Sequence, residues 1–279
     1  MANDTPHLLK QVRFFNVESP LLQYQSNVES QSGEDGIIAY IFSVLPSADK
    51  RYCVEFGAWD GKYLSNCFNL VRNLAWNGLF IEANDKKYEQ LLLNHGNSKN
   101  VTCLKRFVEF NGPNCLENLI DEAKFPLEFD LLSIDIDGAD YFVWESVQRF
   151  SPRVVVIEFN PSVPNDVIFV QAKDMNTNQG ASLLALIMLG KQKGYELVCA
   201  TMFNAIFVLK NYYELFGLSS NHINVLYKPL VDGRIFHGYD SYVHISGMPK
   251  LIWSDTKVSS DNFQVLPTSL RKWSDAQTE

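Results

Sequence analysis

Two stretches of this chain constrain its fold more than anything else: LLSI at 131–134 and VVVI at 154–157 are unbroken or nearly unbroken apolar runs, each leading straight into an acid, Asp135 and Glu158. A strand that is apolar on both sides must be covered on both sides. Five such runs, YCVEF (52–56), GLFIEA (78–83), VTCLKRFV (101–108), FDLLSIDI (129–136) and RVVVIEF (153–159), alternate with helical patterns. The helices are expected through Cys67, Val71 and Leu74, at 88–93, at 116–120 and at 141–150. Strands interleaved with helices in this way predict an α/β fold, a parallel sheet with helices on both faces. A further helix at 181–192, closed by Gly194, precedes YELVCAT and AIFVL, which only Met202 to Asn204 separate. So short a gap forbids a parallel crossover and predicts a hairpin, with the last strand antiparallel.

Ahead of the first strand, residues 1–30 read as an irregular lead-in. Ser32 with Asp35 has the pattern of a capping box, and Ile37, Ile38, Ile41, Phe42 and Leu45 share one helical face before Pro46. No linker or repeat divides the chain, so residues 31–210 are expected to form one domain. Residues 211–279 are less regular and rich in aromatics, among them Tyr212, Tyr213, Phe236, Tyr239, Trp253 and Trp273. They read as a cap or extension with acceptor binding as a candidate role. With 24 Lys+Arg against 32 Asp+Glu and no basic run, the chain is not built to hold nucleic acid or an anionic membrane. Its longest apolar stretch, LLALIML at 183–189, falls far short of the ~20 residues a membrane span needs. The first residues lack a basic-then-apolar signal pattern, so a cytoplasmic location is expected. The five cysteines are scattered without a CxxC pair and read as reduced core residues.

In an open parallel sheet, ligands bind beyond the carboxyl ends of the strands. Those ends are acidic here: Glu55 before Gly57, Asp60 and Gly61; Glu82 after the second strand; Asp135, Asp137 and Asp140 after the fourth; Glu158 with Asn160 after the fifth. A pyrophosphate would be repelled, and neither GxGxxG nor a GxxxxGK[ST] loop is present. A phosphate-free adenosine cofactor with a positive centre suits such a site, with Glu82 placed to take both ribose hydroxyls. S-adenosylmethionine has that description.

Five segments, SQSGEDGII (31–38), VEFGAWDGKYLSNCFNL (54–70), NGLFIEAN (77–84), LLSIDIDGADYFVWES (131–146) and PRVVVIEFNP (152–161), together resemble the FkbM-type S-adenosylmethionine-dependent methyltransferases. The resemblance spans roughly residues 25–210. It implies the class I methyltransferase fold, Rossmann-like and seven-stranded with an antiparallel last strand, and O-methylation of a sugar, glycan or glycosylated metabolite. Carried over by position, Glu55 and Gly57 would line the methionine side of the cofactor, with Asp60, Ser65 and Asn66 near the same pocket. Glu82 would hold the ribose. Ser32, Glu34 and Asp35 would fold over the site as a lid segment or contact the methionine moiety, although Glu34 and Asp35 equally suit the first turn of a helix. Asp135 or Asp137 would face the transferred methyl group, and Glu158 would lie beside the acceptor. One departure stands out: the motif usually read Asp-x-Glu-Gly is Asp135-Ile136-Asp137-Gly138 here.

An alcohol is a poor nucleophile at neutral pH, so a base within hydrogen-bond reach should help. Asp137 is the first candidate, Glu158 the second and His237 a distant third. A divalent ion, Mg²⁺ or Mn²⁺, held by Asp135, Asp137, Glu158 or Asn160 is the alternative activator. Two rival functions stay open at this point. Asp135-Ile136-Asp137 also suits a metal-dependent glycosyltransferase, and a chain of this fold can serve as a non-catalytic binding protein.

Overall fold

The computed structural model describes residues 18–231 and 233–271; Trp273 and most of the expected lead-in lie outside them. A seven-stranded sheet forms the centre: β1 (Tyr52–Phe56), β2 (Asn77–Glu82), β3 (Val101–Lys105), β4 (Leu131–Ile134), β5 (Val154–Glu158), β6 (Tyr195–Ala200) and β7 (Asn204–Leu209). Their order is β3-β2-β1-β4-β5-β7-β6. β1 to β5 pair in parallel, whereas β7 runs antiparallel to both of its neighbours. The hairpin therefore forms as expected, with β7 inserted between β5 and β6.

Alternation along the strands sends side chains into two cores. Val54, Phe56, Leu132, Ile134, Val155 and Ile157 pack on one face against α4 (Leu116–Glu122), α5 (Asp140–Ser146) and α6 (Leu183–Gln192). Cys53, Leu131, Val154, Val156, Ile206 and Val208 pack on the other against α1 (Glu34–Val44), α2 (Phe68–Asn73) and α3 (Asp85–His95). Double coverage is what the unbroken apolar runs require. All five cysteines are free thiols, three of them buried in the interior. Among the described residues no helix is long and apolar enough to cross a membrane.

Two local expectations need correction. Ser32 does not cap α1. The reciprocal pair is instead Ser30 and Asp35: Ser30 Oγ accepts the Asp35 N–H at 3.0 Å, and Asp35 Oδ2 accepts the N–H groups of Val28, Glu29 and Ser30 at 2.8–2.9 Å. Helix α5 ends at Ser146 rather than Phe150, because the Glu117 carboxylate on α4 captures the Gln148 and Arg149 N–H groups and turns the chain aside.

After β7 the chain runs through a 3-10 turn (Lys210–Phe216) and α7 (Ile223–Leu226), whose Ile223 and Leu226 enter the core. It then forms a separate hairpin of β8 (Arg234–His237) and β9 (Val243–Ser246).

Candidate active site

A cavity of about 370 Å³ opens beyond the carboxyl ends of β1, β2, β4 and β5, within the ~300–1,000 Å³ usual for small-molecule sites. It lies where the sheet order reverses, between β1 and β4. Glu55, Gly57, Ser65, Asn66, Glu82, Asp135, Asp137 and Glu158 all line it. A second cavity of about 350 Å³ adjoins the first, and Asp137, Glu158, Asn178 and Trp253 line both.

Each strand-end acid has a distinct task. Glu55 is buried; Ser65 Oγ donates to its Oε2 at 2.5 Å and the Asn66 N–H to its Oε1 at 2.8 Å. Ser65 Oγ in turn accepts the Cys67 and Phe68 N–H groups, so Glu55 fixes the approach to α2. Asn66 Nδ2 donates to Ser133 Oγ at 3.1 Å, while its Oδ1 is buried without a partner. That lone acceptor suits a ligand carrying a donor such as an ammonium. Glu82 accepts the Trp59 N–H at 2.8 Å and the Asn84 N–H at 2.7 Å, which pins the loop after β1 to the end of β2.

Gly57 (φ 68°) lines the first cavity and also serves the packing of the sheet. A Cβ there would lie 1.8 Å from the Asp135 carbonyl oxygen, so its missing side chain lets the ends of β1 and β4 approach each other. Asp140 is buried and accepts the Ile136 and Gly138 N–H groups at 2.9 Å, shaping the turn between β4 and α5.

Asp135, Asp137 and Glu158 converge, with one carboxylate oxygen from each within 4.8 Å of the others. Burial, then the charges of Asp140, Asp137 and Glu55, push the Asp135 carboxyl well above the usual carboxylate range. Burial, then Asp135, Asp140 and Asp137, push Glu158 up to about 10. Burial thus favours the protonated form of both, and Glu158 keeps its proton at neutral pH. Asp137 is the exposed member of the three and has φ 59°, a left-handed backbone that costs a non-glycine residue ~1–2 kcal/mol.

Several predicted residues stand elsewhere. Ser32, Glu34, Asp35 and Asp60 line neither cavity. Glu34 is buried under Thr201 and Asn204, whose side chains donate to its Oε1 at 2.5 and 3.2 Å. Asp60 Oδ1 accepts the Lys62 and Tyr63 N–H groups in a local turn. Asn160 lines the second cavity, yet its Nδ2 donates to the Gln179 carbonyl and its Oδ1 accepts from Ser162, leaving it poorly placed as a metal ligand. His237 lies on exposed β8 and lines neither cavity. Conversely, Trp59, Lys87, Arg106 and Phe107 line the first cavity without any signal in the sequence pattern, and of the C-terminal aromatics Trp253 joins them there. Trp59 is held from one side by Lys87, whose Nζ sits 3.4 Å from the ring centroid.

One consequence is open to measurement. Burial, only partly offset by the Ser65 and Asn66 hydrogen bonds, raises Glu55 from 4.5 to about 7. The folded chain then holds a proton that the unfolded chain has released, so stability should fall as pH rises from about 4.5 to about 7 and level off above. Glu55→Gln should remove on the order of 3 kcal/mol of that fall. Urea denaturation at a series of pH values would show it; an unchanged pH dependence in the variant would contradict this role for Glu55.

No protein-family model and no curated protein matches the chain. Solved structures do. The citrinin polyketide synthase CMeT domain gives 8% identity and TM-score 0.41 over 63% of this chain and 51% of that one. The precorrin-6y C5,15-methyltransferase of Geobacter metallireducens GS-15 gives 16% and 0.39 over 67% and 93%. An O-methyltransferase family protein from Burkholderia thailandensis gives 12% and 0.38 over 63% and 58%. The chain thus spans little more than half the length of the first and third. Identity this low says nothing of a shared substrate. The strand order and the inserted antiparallel β7 decide the architecture. The fold is the seven-stranded, Rossmann-like sheet expected of a class I methyltransferase.

Proposed function

We propose that this chain is an S-adenosylmethionine-dependent O-methyltransferase acting on a hydroxyl of a sugar, glycan or glycosylated metabolite. The observation that carries the reading is the junction of two cavities at one acidic cluster: the larger runs from Glu55 and Glu82 to Asp135, and the smaller begins where Asp137 and Glu158 form a shared wall. A cofactor in the first cavity and an acceptor in the second would meet at those carboxyl groups.

When bound, S-adenosylmethionine supplies an electrophilic methyl group on a sulfonium. Glu82 would accept the ribose hydroxyls with the lone pairs that Trp59 and Asn84 leave free. Asn66 Oδ1 would take an N–H of the amino-acid end. Glu158, protonated by burial, would donate a hydrogen bond that orients the acceptor, Asp135 would hold the neighbouring wall, and Asp137 would remove the hydroxyl proton. Holding the two reactants in line provides most of the acceleration expected for such a reaction.

The same three carboxyl groups also suit a hard divalent ion such as Mg²⁺, which would replace the protons on Asp135 and Glu158 and itself lower the hydroxyl pKa. Methyl transfer measured with and without EDTA separates the two arrangements.

Isothermal titration with S-adenosylhomocysteine tests the central claim. Wild type should bind, and Glu82→Ala should weaken binding by roughly 10- to 100-fold, the loss of hydrogen bonds to a charged acceptor. Unchanged affinity in the variant would refute the ribose assignment. Stabilisation by a UDP-sugar with Mn²⁺ and none by S-adenosylhomocysteine would favour the glycosyltransferase reading, and stabilisation by neither would favour a binding protein.

A further inference from the structure

Trp253 is a large apolar side chain that remains 64% exposed, although a structured turn surrounds it. The Leu251 N–H donates to the Thr256 carbonyl, the Ser254 N–H to the Leu251 carbonyl, and Lys250 pairs with Asp255 at 2.8 Å. One face of the indole stacks on Phe203, with ring centroids 5.4 Å apart and planes 29° apart. Phe203 is itself anchored at the active site: its carbonyl accepts the N–H of Phe159, the residue after Glu158, at 2.8 Å. The chain after β7 therefore returns to the carboxyl end of the sheet and presents an indole there, supported from behind.

The second cavity is lined by Trp253, by Phe159, whose ring is buried against Tyr227, and by polar residues that include Asp137, Glu158, Asn178 and Gln179. The segment carrying these two amides is held in place by the buried Gln171 side chain, whose Oε1 accepts the N–H groups of Gln179 and Gly180 at 2.9 Å. One aromatic wall with hydrogen-bonding groups around the remainder selects a ligand of the same asymmetry. The face of an aromatic ring carries negative charge density. It attracts the polarised C–H groups on the apolar side of a pyranose, whose hydroxyls project from the edge toward acceptors. A planar phenol offers no such ring of edge hydroxyls.

We propose that Trp253 is the platform of the acceptor subsite, stacking on a pyranose ring while Asp137 and Glu158 engage its hydroxyls. The segment after residue 210 then shares acceptor selectivity with the acids at the strand ends. This inference rests on the methyltransferase reading above.

The test uses the full chain saturated with S-adenosylhomocysteine. Maltotriose, cellotriose and triacetylchitotriose are the carbohydrate probes, with catechol as the planar control, and binding is followed by saturation-transfer NMR. At least one oligosaccharide should bind through its ring protons. Trp253→Ala should weaken it about tenfold or more and Trp253→Phe about threefold or less, as expected for a stacking contact. Trp253 also borders the first cavity, so S-adenosylhomocysteine affinity is measured in all three proteins, and any change in it should be smaller than the loss of carbohydrate affinity. The proposal is overturned if no oligosaccharide binds, if only catechol does, or if Trp253→Ala leaves the carbohydrate affinity intact. Failure of wild type to bind S-adenosylhomocysteine would instead overturn the cofactor assignment on which it rests.

Discussion

Replacing Asp137 with asparagine is expected to lower methyl transfer by about 10²–10⁴-fold, the usual contribution of a positioned base. Affinity for S-adenosylhomocysteine, whose sulfur is uncharged, should be nearly unchanged. Asp137 is singled out by its surroundings: burial shifts its two neighbouring carboxyl groups toward the protonated form, while Asp137 is exposed and lines both cavities. Asp137→Gly sharpens the test. Glycine adopts φ 59° without strain, and the exchange also removes a charge that acts on Asp135, Asp140 and Glu158. That variant should lose turnover to the same extent and yet melt some 2–4 °C higher, the equivalent of about 1 kcal/mol in a domain of this size. A residue retained only for structure would not combine lost activity with gained stability. The assay follows transfer from deuteromethyl-labelled cofactor into glycans by mass spectrometry; full turnover in either variant would remove Asp137 from the mechanism.

Gly57→Ala should be the most damaging single methyl group that can be added at this site. Its Cβ would meet backbone, the Asp135 carbonyl oxygen at 1.8 Å, and its φ of 68° is itself strained for alanine. Together these should cost about 3–5 kcal/mol. Because the clash falls on Asp135, any relief moves an acid of the cluster, so S-adenosylhomocysteine binding should fall with stability. Gly217→Ala is the control: φ is 59°, but no atom lies within 4 Å of the added Cβ, and only the backbone cost of ~1–2 kcal/mol should appear. Thermal unfolding of the two variants side by side decides the matter, and equal losses would show that contact with β4 is unimportant.

The sheet was readable because apolar runs bounded by helical patterns are a repeated signal, and a three-residue gap admits only a hairpin. The position of β7 between β5 and β6 was not readable. A hairpin shows that two strands pair, while the choice of which one also meets β5 depends on contacts across the whole sheet. The site divides in the same way. The strand-end rule found Glu55, Glu82, Asp135, Asp137 and Glu158, all of which line the cavity. It could not separate them from Asp60, nor could the resemblance separate site residues from Glu34 and Asp35; all three satisfy backbone or side-chain donors in a turn or at a helix start. An acid in a sequence does not disclose whether its lone pairs are already occupied. The sequence pattern reads Arg106 and Phe107 as the end of a strand, which stops at Lys105, and Trp253 is distant in sequence from every strand of the sheet. No periodicity marks such residues.

Inserting β7 between β5 and β6 also orders events as the chain is made. β5 is complete at Glu158, but the strand that covers its open edge does not begin until Asn204. Glu34, at the start of α1, finds its side-chain donors only at Thr201 and Asn204. Contacts this distant in sequence form slowly, because a long loop must close before any of them is made. Until then an emerging chain presents VVVI as an unpaired strand edge, the kind of surface on which chains associate with one another. A product truncated just before the last hairpin would consequently aggregate rather than persist as a smaller folded domain.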